Sequence, residues 1–217
     1  MSTEPLTNGA AAHPADGERA TAARLPRRVR RAQLLQAARE VFVAQGYHAA
    51  AMDDIAERAG VSKPVLYQHF PGKMELYLAL LETHTTDLVD QVKRSLATTT
   101  DNKVRVHRAV EAYYEFVDNE DGAFRLVFET DLGNDPAVRG LVDRGNRECA
   151  QAIADTIAAD TGLPREHAEL LATGLIGSAQ VSARYWLTTD RKVPMGEAIE
   201  LVAAVSWRGI SGFPRHL

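Results

Sequence analysis

Between residues 52 and 70 the apolar side chains fall into two short helical sets parted by one glycine. Met52, Ile55, Ala56 and Ala59 follow an i, i+3, i+4 rhythm. Leu66 and Phe70 stand four residues apart and share a second helix face. The gap from Ala59 to Lys63 leaves room for a single tight turn at Gly60, which is the requirement of a helix-turn-helix. Local chemistry agrees. Asp53 and Asp54 fall in the first turn of the leading helix, at the positive end of its dipole. Ser62 stands at the N-cap of the following helix and Pro64 in its first turn, where a missing N–H breaks no bond.

With Leu66 and Phe70 facing inward, Lys63, Pro64, Val65, Tyr67 and Gln68 face outward, and His69 lies near the boundary. Donors, acceptors and small apolar groups on one short helix suit the reading of a DNA major groove. Charge supports this. Residues 24–73 hold nine Lys/Arg against four Asp/Glu, a net of +5, within a chain of net −4. Residues 74–217 hold 15 basic and 22 acidic residues, a net of −7. A basic module on an acidic body implies that only the first meets a polyanion. The run from Arg24 to Arg31 carries five arginines in eight positions. It can be a solvated charge run leading into a helix. Beside a helix-turn-helix, Arg27, Arg28, Arg30 and Arg31 are also placed for phosphate or minor-groove contact.

Helical spacing continues in both directions. Leu34, Leu35, Ala38, Val41 and Phe42 form one stripe that Gly46 ends. After Pro71-Gly72 a fourth helix runs from Lys73 to about Ala97. Further helices are expected at 103–119, 122–131, 135–159, 164–189 and 195–210. No strand alternation and no fixed-period repeat occurs. The fold class is therefore all-α. The expected organisation is a disordered tail (1–23), a basic arm and helix-turn-helix DNA-binding domain (24–75), and a helical remainder (76–217), about nine helices in all.

Other functions find little footing. Cys149 is the lone cysteine, so no intrachain disulfide forms, which fits a reducing compartment such as the cytoplasm. The N-terminal residues contain no apolar signal-like stretch, and no apolar run is long enough to cross a bilayer. The seven histidines pair in no HxxxH arrangement and no CxxC occurs, so no metal is expected. Phosphate-binding glycine loops and nucleophile elbows are absent, which argues against an enzyme. No cofactor is expected beyond a small-molecule effector. Tyr113, Tyr114, Phe116, Phe124, Val127 and Phe128 cluster in two consecutive helices. They are either ordinary core or the wall of an apolar tunnel, and sequence does not separate the two.

The run from Ile55 to Lys73, IAERAGVSKPVLYQHFPGK, resembles the signature of the TetR family of regulators. The resemblance implies a homodimer on an imperfectly palindromic operator. Its DNA contacts would come from Ser62, Lys63, Pro64, Val65, Tyr67, Gln68 and His69, with Lys73 clamping a phosphate. One departure is that Ala50 and Ala51 stand where many members carry a capping Thr or Ser. Residues 46–50, 95–102 (SLATTTDN) and 183–187 further resemble the actinobacterial branch that regulates fatty-acid synthase genes in response to acyl-CoA. On that likeness the effector is a long-chain acyl-CoA seated near Tyr113, Phe116, Phe124, Val127 and Phe128. A drug-like or catabolic effector is the alternative. The last two helices, through Gly177, Val181, Tyr185, Val202 and Val205, would pair with their symmetry mates.

Overall fold

A computed structural model describes residues 25–119 and 132–211, with side chains to residue 209. Among these residues there are eight helices and no strand: α1 (Arg27–Ala49), α2 (Met52–Arg58), α3 (Lys63–His69), α4 (Lys73–Ala97), α5 (Asn102–Asp118), α6 (Pro136–Thr161), α7 (Arg165–Thr188) and α8 (Met195–Ser211). The expected tail and the expected helix at 122–131, with Phe124, Val127 and Phe128, lie outside the described residues.

Helix ends follow local chemistry. The Asp101 carboxylate accepts from the N–H groups of Lys103 (2.8 Å) and Val104 (3.3 Å) and so caps α5. Asp135 does the same for α6, from Ala137 and Val138, with Pro136 at the first helical position. Gly162 closes α6 in the left-handed region (φ +72°), its N–H returning to the Ala158 carbonyl.

Helix α1 differs from expectation at its start. It begins at Arg27, immediately after Pro26, so the arginine run from residue 27 is already helical rather than an extended arm. Pro26 supplies a fixed φ of −52° at the cap position, and arginine is a good helix former. The expected break at Gly46 is present, with φ +76° and ψ 165°, followed by one more turn to Ala49.

The core is one continuous apolar cluster running from Leu34 to Ala203. Helices α1, α2 and α3 pack around Leu34, Ala38, Phe42, Ile55, Leu66 and Phe70. Helix α4 carries this core from Leu76 and Tyr77, beside the N-terminal trio, to Leu88, Val89 and Val92 in the rest of the bundle. There it packs on α5 and α6, while α7 lies against α6 and α5, and α8 against α5 and α7. One 25-residue helix thus spans from the N-terminal trio to the far end of the bundle.

Candidate DNA-binding face and effector cavity

The turn between α2 and α3 is built from backbone. Gly60 adopts φ +64°, its N–H bonds the Glu57 carbonyl (2.9 Å), and the Val61 N–H reaches Ala56 (3.0 Å). Ile55, Leu66 and Phe70 are buried behind α3. The opposite side presents Lys63, Pro64, Tyr67 and Gln68 to solvent, with Val65 and His69 half-buried. Ser62 holds the N-cap backbone geometry but its hydroxyl makes no capping bond and is exposed. The Lys63 ammonium pairs with Asp53 of α2 at 2.5 Å. Burial, and then the neighbouring Arg27, Arg31 and Arg30 charges, hold the His69 imidazole below its ordinary pKa.

The arginines of α1 divide. Arg27 and Arg28 are exposed. Arg30 donates to Gln33 (2.8 Å), and Arg31 lies over the Phe70 ring (4.3 Å) with a bond to the His69 carbonyl (3.4 Å). Arg31 thereby fastens the end of α3 to α1.

Lys73, which the resemblance makes a phosphate contact, is engaged within the chain. Its ammonium donates to the carbonyls of Tyr47 (2.8 Å), His48 (3.2 Å) and Ala50 (2.9 Å) and sits 4.6 Å from the Tyr47 ring centre. An ammonium has three protons, and all three are engaged inside the chain. The chain turns sharply after Gly46 and leaves these carbonyls without helical partners, so the nearest cation satisfies them. Lys73 thereby ties the end of α1 to the start of α4.

In the second half, α5, α6, α7 and α8 enclose a cavity of about 310 Å³. That lies at the lower end of the range for small-molecule sites. Its wall includes Val106, Val110, Tyr113, Ile153, Ile157, Ile176 and Trp207, with Arg105 and Asp160 at one end. Of the expected effector residues, Tyr113 lines this space. Phe116, one turn beyond Tyr113 on the same helical face, is buried in the core but does not line the cavity. Phe124, Val127 and Phe128 lie outside the described residues. Sequence reading missed the polar end. The signal was present, because Asn102, Arg105, Val106, Ala109, Val110 and Tyr113 share one helical face that turns from polar to apolar along α5.

Among the described residues the buried Tyr113 hydroxyl has no partner of good hydrogen-bond geometry, and it lies beside the Cys149 thiol. Burial dominates in pushing that thiol up to about 11.

The outer faces of α7 and α8 are apolar and bare. Val181, Tyr185 and Val205 are 69%, 70% and 71% exposed. Gly177 is half-buried between them. Val202 is half-buried and packs against the core. Leu170 and Leu201, which sequence reading passed over, extend the exposed stripe at helical spacing. Among the described residues no helix is long and apolar enough to cross a membrane, and no three acidic, His or Cys groups are placed to hold a metal.

Two family models match the chain: "Bacterial regulatory proteins, tetR family" over residues 34–80 and "Tetracyclin repressor-like, C-terminal domain" over residues 102–209. The chain belongs to the TetR family of bacterial DNA-binding transcription regulators. It is 48% identical over 201 residues to the HTH-type transcriptional activator FasR of Mycolicibacterium smegmatis, covering 93% of this chain and 91% of that one. A TetR-like regulator from Rhodococcus superposes with a TM-score of 0.69 at 27% identity, covering 88% of this chain and all of that one. Bacillus subtilis FadR in complex with stearoyl-CoA shares the fold, with a TM-score of 0.69 at 16% identity over 84% of this chain and 99% of that one.

Proposed function

We propose that the chain acts as a homodimer that controls lipid-synthesis genes and responds to a long-chain acyl-CoA. Each subunit presents α3 to a major groove of an imperfect palindrome. The observation that carries this reading is the division of α3, with Leu66 and Phe70 anchored behind and Lys63, Pro64, Tyr67 and Gln68 bare in front. Arg27 and Arg28 add exposed charge beside it. Dimerisation is supported by the bare stripe of Leu170, Val181, Tyr185, Leu201 and Val205. A contiguous apolar surface of this kind is covered in a stable molecule, and a two-fold partner offers the same stripe in return. The lipid assignment is supported by the 48% identity to FasR along nearly the whole chain, and by an apolar cavity in the sensing half.

The experiment is a salt titration of binding to the duplex upstream of the gene itself. Tight, salt-dependent binding is expected. Lys63→Ala and Gln68→Ala should each weaken it by about 1–3 kcal/mol. Unchanged affinity in both variants would remove α3 from the interface. Mass spectrometry of the co-purified ligand decides between an acyl-CoA and an unrelated hydrophobic effector.

A further inference from the structure

Arg105 lies where the cavity meets the surface. Along the lining face of α5, burial deepens from half-buried Asn102 and Arg105 to fully buried Val110 and Tyr113. Arg105 alone ties the polar end together. Its Nε donates to the carbonyls of Leu96 (3.2 Å) and Thr99 (2.7 Å). One terminal nitrogen reaches Asn102 Oδ1 (2.9 Å) and Asp160 Oδ2 (2.9 Å). Leu96 and Thr99 mark the end of α4, Asn102 begins α5, and Asp160 lies in the last turn of α6.

The two members of the ion pair are not held equally. Arg105 has three anchors besides Asp160, and a guanidinium keeps its charge throughout the accessible pH range. Asp160 is the more exposed, at 35% against 18% for its partner. A partly buried ion pair costs desolvation, and the cost is met only while both charges stay paired. An incoming anionic oxygen can take the place of the Asp160 carboxylate on Arg105 and let that carboxylate turn to water. A cationic head would meet the fixed guanidinium. A wholly apolar occupant would leave the pair as it is.

We propose that the cavity takes an amphiphile whose apolar chain lies against the inner wall and whose anionic head displaces Asp160 from Arg105, releasing α6 from the end of α4. This rests on the effector reading above and specifies it. Helix α4 is fastened at its start by Lys73, behind the helix-turn-helix, and at its end by Arg105. A change at Arg105 therefore acts on the helix that reaches the reading head. Arg105 is a binding residue for the head group and a positioning residue for α4.

The test uses the full chain and three probes of equal chain length: hexadecanol, palmitate and hexadecyl phosphate. Quenching of tryptophan fluorescence reads binding, because Trp207 lines the cavity. Both anionic probes should bind at least about tenfold more tightly than the alcohol, and comparison of the two separates a carboxylate from a phosphate head. Arg105→Gln should bring all three Kd values within about threefold of one another. That variant also gives up bonds to α4 and can fail to fold. Asp160→Asn keeps them, and it should widen the anionic preference. Without any probe, Asp160→Asn should show the operator affinity of the palmitate-loaded chain. Equal affinity for the three probes, no binding of any, or an Asp160→Asn chain that matches the unmodified one in both readouts overturns the proposal. Operator binding with no probe present is scored separately. Its loss beside an intact head-group preference defeats the regulator reading alone, and its retention beside no preference defeats the head-group site alone.

Discussion

At the scale of single residues, Tyr113 and Cys149 make a small polar island inside an apolar bundle. A buried hydroxyl without a good partner forfeits its bonds to water. Tyr113→Phe removes that hydroxyl and keeps the ring, so thermal unfolding should show a change between neutral and about 1 kcal/mol of stabilisation. Cys149 titrates in the folded chain near 11 and in the unfolded chain near its ordinary value of 9.0. As pH rises between these values the unfolded state loses the proton first, so the folded state binds more protons and stability falls with pH. Denaturant midpoints in the unmodified chain should drop through this window, and Cys149→Ala should flatten the drop. Sequence reading found in Cys149 only a lone cysteine without a disulfide partner. Its burial against Tyr113 came from a contact 36 residues away in the chain, which no local pattern encodes.

At the scale of elements, the joints carry the most information. Gly60 has open space around the position of an added Cβ, so Gly60→Ala meets no clash and its cost is backbone strain alone. At φ +64° that cost should be about 1–2 kcal/mol, read as a lower melting temperature of the chain. Gly60 was legible because the turn chemistry is local: one glycine between two short apolar rhythms permits little else. Lys73 was not legible in the same way. Its place in the sequence motif is fixed, but whether its ammonium points to solvent or to the end of α1 depends on the bend at Gly46. Lys73→Met should cost about 1–3 kcal/mol by stranding three carbonyls. It should leave the salt dependence of DNA binding as it was, whereas loss of a true phosphate contact lowers the log–log slope by about 1. Equal slopes in the two forms would place Lys73 off the DNA. A lower slope would return it to the interface.

For the molecule as a whole, the proposed assembly rests on the bare stripe of α7 and α8. Tyr185→Glu together with Val205→Glu places charge in the middle of that stripe without touching the core. Sedimentation should then report a folded monomer. Its operator affinity should fall by on the order of 10²-fold or more, because two linked reading heads gain through effective concentration what one head lacks. A dimer that survives both changes would require another contact surface. The family resemblance marked this region through Gly177, Val181, Tyr185, Val202 and Val205. It took Val202 for surface, although that side chain leans into the core, and it passed over Leu170 and Leu201. Helical periodicity gives the faces of a helix, and which of two apolar faces stays bare depends on the neighbours that arrive.

By itself the sequence determined the helical segments, the turn at Gly60, the break at Gly46 and the presence of a helix-turn-helix on a basic module. Those depend on neighbours within about four residues along the chain. The tertiary structure alone decided that Lys73 faces inward, that the cavity stops short of Phe116, and that Arg105 meets Asp160 across 55 residues. The physical reason is that a cavity is a volume left unfilled where side chains from four helices fail to meet. Its charges are set by which remote groups reach its edge, and neither property exists until the helices have packed.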